Sequence, residues 1–213
     1  MSQASRPFIF VLAGVNGAGK SSVGGNLLHE HGLSWFNPDS HARELMTKHG
    51  LTLEEANAVA WHFGREQLED AIATGRNFAF ETTLGANTIP ALLRKASATH
   101  DVVMWYCGLA SPELHLQRVK ARVASGGHDI PESKIRERWD SSRKNLIHLS
   151  PHLAHLQVFD NSAQVAPGQP IPDPVLVMEM VSGELIHPDP TDAEQLSAVP
   201  EWAIAVVEAA IQS

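Results

Sequence analysis

Gly14-Val15-Asn16-Gly17-Ala18-Gly19-Lys20-Ser21 is the stretch from which the rest of the chain is read. It spells G-x-x-x-x-G-K-S, a glycine-rich loop that wraps phosphate groups. The apolar run Phe8-Ile9-Phe10-Val11-Leu12-Ala13 precedes it with the length of a buried strand, and a helix-compatible segment over residues 21–30 follows. Strand, loop and helix in that order turn a pattern match into a physical expectation. Gly14, Gly17 and Gly19 let the backbone close into an amide-lined cradle that a β-carbon would obstruct. Asn16, Ala18 and Ser22 complete that cradle, and the helix start adds free N–H groups and partial positive charge. Lys20 is placed to reach β- and γ-phosphates, and the Ser21 hydroxyl to ligate Mg²⁺. The expected cofactor is therefore ATP or GTP with Mg²⁺.

At 213 residues with 43% apolar content, the chain has enough material for one α/β domain with a tail. The net charge of −8 argues against a nucleic-acid partner. The charge is uneven: eight of the sixteen basic residues lie between Arg118 and Lys144, and none follows Lys144. A local basic patch in an acidic protein suits a small anionic ligand. Cys107 is the single cysteine, so no internal disulfide can form, and its apolar neighbours mark it as a core residue. The run at Phe8 is too short to span a bilayer and lacks the flanks of a secretory signal. The expectation is a cytoplasmic protein without membrane partners.

Along the chain, strand signals alternate with helix signals. Residues 33–37 read as a second strand ended by Pro38, with Asp39 or Ser40 capping the next helix. Residues 52–74 read as a long helix opened by a Thr52/Glu55 capping box and stopped by Gly75. Strands follow at 77–83, 101–107 and 156–160, with helices at 87–99, 111–124 and 131–149. This alternation predicts an α/β P-loop NTPase: a three-layer sandwich around a mainly parallel five-stranded sheet, with a helical lid. Residues 1–165 form the expected kinase-like core, including a lid at about 118–145. Residues 166–213 form a proline-rich linker, a small hairpin at 175–181 and 184–187, and a helix over 200–211.

Ligands of open α/β sheets gather at the carboxyl ends of the strands. Asn37-Pro38-Asp39 and Glu81-Thr82-Thr83 should therefore meet the phosphate loop. Asp39 is a candidate base or metal-orienting carboxylate, the alternative being a plain helix cap. Glu81 is a candidate acceptor-binding or metal-orienting carboxylate, the alternative being a capping or surface role, and Thr83 is a candidate acceptor-binding group with helix capping as its alternative. Arg118 and Arg122 share one helix face, where two like charges repel unless an anion lies between them. Arg136 and Arg138 cannot both point the same way, so one of them should reach the ligand. The turn Gly126-Gly127-His128-Asp129-Ile130-Pro131 suits a lid hinge, with His128 near phosphate or in a structural bond. No strand ends in a Walker B aspartate, and the histidines show no zinc pattern.

Taken together, the phosphate loop, Asn37-Pro38-Asp39, Phe80-Glu81-Thr82-Thr83-Leu84, Arg118-Val119-x-x-Arg122-Val123, the Gly126–Pro131 turn and Phe159-Asp160-Asn161-Ser162 resemble the zeta-toxin-like P-loop kinases. The resemblance is closest to the free-standing bacterial branch described as predicted ABC-type ATPases. It implies a kinase core with a helical lid, acting on an alcohol group. Zeta toxins phosphorylate a UDP-linked amino sugar, which makes a nucleotide sugar the leading small-molecule acceptor. By that resemblance Asp39 is the catalytic carboxylate, Glu81 and Thr83 contact the acceptor, and Arg118 with one of Arg122, Arg136 or Arg138 supplies the lid arginines, Arg122 or Arg136 being the expected helper. The family also includes toxins held by antitoxins, so an antitoxin partner is compatible with the resemblance but is not indicated by this chain. The alternatives are a nucleotide-hydrolysing switch and a non-catalytic nucleotide-binding module.

Overall fold

The fold was taken from a computed structural model, which describes residues 6–21, 24, 35–165 and 172–212. Of the strand expected at 33–37, the described residues 35–37 hold only an isolated bridge at Phe36. Ser22, residues 33–34 and most of the helix expected after the phosphate loop lie outside the described residues. So does most of the expected linker.

Among the described residues the centre is a six-stranded sheet in the order β2-β1-β3-β4-β5-β6. Its strands are β1 (Phe8–Ala13), β2 (Phe78–Thr82), β3 (Asp101–Gly108), β4 (His155–Asp160), β5 (Val175–Val181) and β6 (Glu184–His187). The first four run parallel, with β1 between β2 and β3. Phe36 adds a parallel bridge to Phe80 on the outer side of β2. The C-terminal hairpin extends this same sheet, because β5 pairs antiparallel with β4. The expected sheet thus holds as an α/β, mainly parallel one. Its antiparallel edge comes from a hairpin whose pairing partner no local pattern reveals.

Burial follows from composition. Ile9, Val11, Leu12 and Ala13 of β1 are fully buried, as are Val102 and Met104 of β3 and Leu156 and Val158 of β4. Near-continuous apolar strands of this kind fit a parallel sheet covered on both faces. The covering helices are α1 (Pro38–His49), α2 (Leu53–Thr74), α3 (Thr88–Ala96), α4 (Pro112–Ala124), α5 (Glu132–Leu149), α6 (Ala193–Ser197) and α7 (Ile204–Ile211).

Their ends obey the local chemistry. Thr52 and Glu55 form a full capping box on α2, and Gly75 stops it in a left-handed conformation. Ser111 caps α4, with Pro112 at its first position. The start of α1 differs from expectation. Asn37 is the cap, accepting from the Ser40 N–H, and neither Asp39 nor Ser40 does that work. Asn37 and Pro38 together open the helix, which leaves the Asp39 carboxylate uncommitted at its first turn. The helix expected over 200–211 opens instead with a 3₁₀ turn at Glu201–Ala203 before α7.

Candidate active site

The phosphate loop emerges from β1 and is held from several sides. The Gly14 N–H donates to the Thr82 carbonyl at 3.2 Å, and Lys20 Nζ donates to the Gly14 carbonyl at 2.8 Å. Gly14 and Gly19 have φ of +138° and +85°. A β-carbon at Gly14 would lie 2.3 Å from the Cys107 carbonyl oxygen, and one at Gly19 would lie 2.4 Å from Asn161 Nδ2. Both conformation and space therefore demand glycine.

Two residues pin this loop: His115, which the sequence reading did not single out, and Asn161, which it quoted only within a motif and gave no role. His115, buried on α4, donates from Nδ1 to the Asn16 carbonyl at 2.9 Å. Burial pushes its pKa down to about 4, so the ring is neutral. Asn161, just beyond β4, donates to the Ala18 carbonyl at 2.9 Å. Its place at the carboxyl end of a strand beside β3 was the available signal.

Lys20 is half-buried, and its pKa is lowered by desolvation, against the opposing fields of Glu81 and Asp39. Glu81, 7% exposed at the end of β2, accepts from Ser21 Oγ at 3.0 and 3.3 Å and from the Trp35 indole N–H at 3.0 Å. No Walker B aspartate is apparent in the sequence, yet a carboxylate stands on the hydroxyl that a P-loop offers to Mg²⁺. Trp35 orients it, a contact without a sequence signal.

The arginines separate. Arg118 reaches the Asn161 and Ala163 carbonyls at 2.7 and 3.1 Å, beside Gly19. Burial lowers its pKa, with Asp160 opposing. Arg122 Nη1 lies 3.6 Å from Asp39 Oδ2, while its buried Nε has no hydrogen-bond partner among the described residues. Arg136 is not brought to the site: it is exposed on α5 and bonded to Glu113 and Glu132 at 2.7 and 2.8 Å. Two residues along, the other α5 candidate turns inward. Arg138 Nη1 donates to Asn16 Oδ1 at 2.7 Å.

Beside the loop opens a cleft of about 700 Å³ between α1, α2, the segment after β2 and the Gly126–Pro131 turn. Lys20, Asp39, Glu81, Thr83, His128 and Arg138 all line it. The turn after β2 is locked in place. Leu84 sits at φ +54°, with its N–H held by Thr82 Oγ1 and its carbonyl by Asn145. Strain of this kind in a buried residue belongs to sites whose surroundings over-determine the backbone.

The residues fit a nucleoside triphosphate with a hard cation. The loop would be filled by β-carbons at its glycines, Arg122 Nε lacks a partner, and Ser21 with Glu81 forms an all-oxygen donor pair. Among the described residues no cluster of three or more His, Cys, Asp or Glu could hold a metal ion by itself, and no helix is long and apolar enough to cross a membrane.

Sheet order, the glycine loop and the lysine that closes it define the α/β P-loop NTPase fold. The chain belongs to the family described as AAA domain, whose model matches residues 9–146. A Haemophilus influenzae (strain ATCC 51907 / DSM 11121 / KW20 / Rd) protein described as "Uncharacterized protein" is 28% identical over 127 residues, which is 59% of this chain and 88% of that one. Among solved structures, the AvrRxo1-ORF1:-ORF2 complex with ATP matches with a TM-score of 0.65 at 17% identity. That match covers 94% of this chain but only 65% of the matched chain. The PezAT chromosomal toxin-antitoxin system of Streptococcus pneumoniae matches with a TM-score of 0.54 at 16% identity, over 75% of this chain and 69% of that one. At these identities the likeness is one of fold.

Proposed function

We propose that the protein is a nucleotide-dependent kinase that transfers a γ-phosphoryl group to a hydroxyl of a small molecule. The observation that carries this reading is the cleft. It leaves room for a second molecule directly against Lys20, and Asp39, Glu81 and Thr83 face that room. A hydrolysing switch needs space only for water.

In this reading the loop amides and Lys20 bind the triphosphate. Asp39 accepts the proton of the acceptor hydroxyl as its oxygen attacks phosphorus. Arg118 and Arg122 counter the charge spread over the transferring group, with Arg138 at the lip. Glu81 holds Ser21 in position, Thr83 contacts the acceptor, and residues 118–145 act as a lid hinged near Gly126. Mg²⁺, held by Ser21 with Glu81, would supply charge neutralisation on the phosphates. The ATP in the similar AvrRxo1-ORF1:-ORF2 complex supports ATP as donor, with GTP the alternative. Following the zeta-toxin resemblance, the leading acceptor is a UDP-linked amino sugar, in a cytoplasmic setting.

The test is incubation with ATP or GTP, Mg²⁺ and a panel of sugar nucleotides, read by phosphorus NMR. A phosphomonoester on the acceptor is the expected result. Nucleotide turnover with every acceptor left untouched would mark a hydrolysing switch. Tight nucleotide binding without turnover would mark a non-catalytic module.

A further inference from the structure

One wall of the cleft is a single stripe of α2. Glu54, Asn57, Trp61, Gly64 and Arg65 all line it, at spacings of three and four that put them on one helix face. The core face of the same helix is different: Ala56, Leu68 and Ala71 are buried away from the cleft, while the buried Ala60 forms the cleft floor between the two faces. The stripe is thus a polar and aromatic surface turned to a cavity.

Its C-terminal end is built for an anion. Arg65 Nε is buried and has no hydrogen-bond partner among the described residues. Among the described residues the one carboxylate paired with it, Glu69, stands 3.8 Å away, too far for a hydrogen bond. The guanidinium carbon lies 5.4 Å from the centre of the Trp61 ring, itself 40% exposed. A cation held over an indole with a donor left open can accept a planar group and a negative charge together. The carboxylate on the stripe, Glu54, is eleven residues away, about 16 Å along the helix axis, and does not compete. Gly64 sets the depth of the stripe. A β-carbon there would come 2.4 Å from the Phe36 ring, so its absence lets α2 close onto the residue that bridges Phe80, next to Glu81.

Building on the kinase reading, we infer that Arg65 and Trp61 form an acceptor subsite. It receives an anionic group, phosphate or carboxylate, attached to a flat ring or apolar body that lies on the indole. Arg65 acts on acceptor selection and does not touch the transferring phosphoryl group.

The test uses phenyl phosphate and benzoate against phenol, titrated by tryptophan fluorescence and calorimetry. A non-hydrolysable ATP analogue is present at saturation, so that the phosphate loop is occupied. Both anions should bind at least about tenfold more tightly than phenol. Arg65→Gln should bind all three alike, and Arg65→Lys should keep part of the preference. Trp61→Ala should weaken all three. A thermal melt checks that each variant is folded. Equal binding of phenol and the anions by the wild type would overturn the subsite, as would a preference that survives Arg65→Gln. If only phenyl phosphate is preferred, the subsite takes phosphate; if both anions are, it takes carboxylates too. The kinase reading has its own arm: no transfer to any acceptor would remove it, while the titration would still decide the role of Arg65.

Discussion

Arg122 and Asp39 face each other across the mouth of the phosphate loop, Nη1 to Oδ2 at 3.6 Å, each side chain 38% exposed. A pair this open to solvent is worth about 1 kcal/mol or less. It is easily given up when a triphosphate brings a stronger anion to the arginine, and the carboxylate is then free to take a proton.

Asp39→Asn should therefore lower phosphoryl transfer by about 10²–10⁴-fold. Nucleotide affinity should hold within about twofold, because the loop and Lys20 do that binding. Transfer rates and calorimetric ATP titration check the two halves. Turnover at the wild-type rate would remove Asp39 from the chemistry.

The two α5 arginines should behave oppositely. Arg138→Ala takes a guanidinium from the cleft and frees Asn16 Oδ1, so kcat/KM should fall by at least about tenfold. Arg136→Ala severs only exposed pairs with Glu113 and Glu132, so activity should stay within about twofold. A reversed order in parallel assays would count against the placement of α5.

Glu81→Gln keeps the shape of the side chain but removes charge beside Ser21. The apparent Mg²⁺ requirement should rise at least about tenfold, with little change in the melting temperature. A Mg²⁺ titration of activity reads this directly, and an unshifted curve would assign Glu81 to the acceptor alone.

His115 links the loop to pH. Burial depresses its pKa to about 4, below the ordinary value of 6.5. Between those values the unfolded chain binds a proton that the folded chain does not, so stability falls as pH drops through this window. The loss is about 3 kcal/mol in all. Urea unfolding from pH 7 to pH 4 should show that slope, and His115→Gln should flatten it. Parallel slopes in both proteins would place the acid sensitivity elsewhere.

The parts legible in the sequence were those fixed by short-range chemistry. The phosphate loop, the Thr52/Glu55 box, the Ser111-Pro112 start and the Gly75 stop each need only a few adjacent residues. The carboxyl-end rule then placed Asp39, Glu81 and Thr83 around one cleft, and the glycine-rich lid turn brought His128 to the same cleft. What could not be read depended on contacts across the chain. Trp35 reaching Glu81, Asn161 reaching Ala18 and His115 reaching Asn16 join residues 46, 143 and 99 positions apart. The inward turn of Arg138 instead of Arg136 likewise depends on how α5 lies on the loop. The pairing of β5 with β4 has the same character, since the hairpin residues could be located but not their neighbour.

One late contact reaches back into the site. The Trp202 indole N–H donates to Asp160 Oδ1 at 3.0 Å, and its ring fills the space above Gly108, where a β-carbon would lie 2.1 Å from it. Asp160 precedes Asn161, which steadies the loop through Ala18. During synthesis the first eight-tenths of the chain can be out of the ribosome with this buttress still missing. A nascent chain should thus acquire its full grip on nucleotide only once Trp202 has emerged and docked on Asp160.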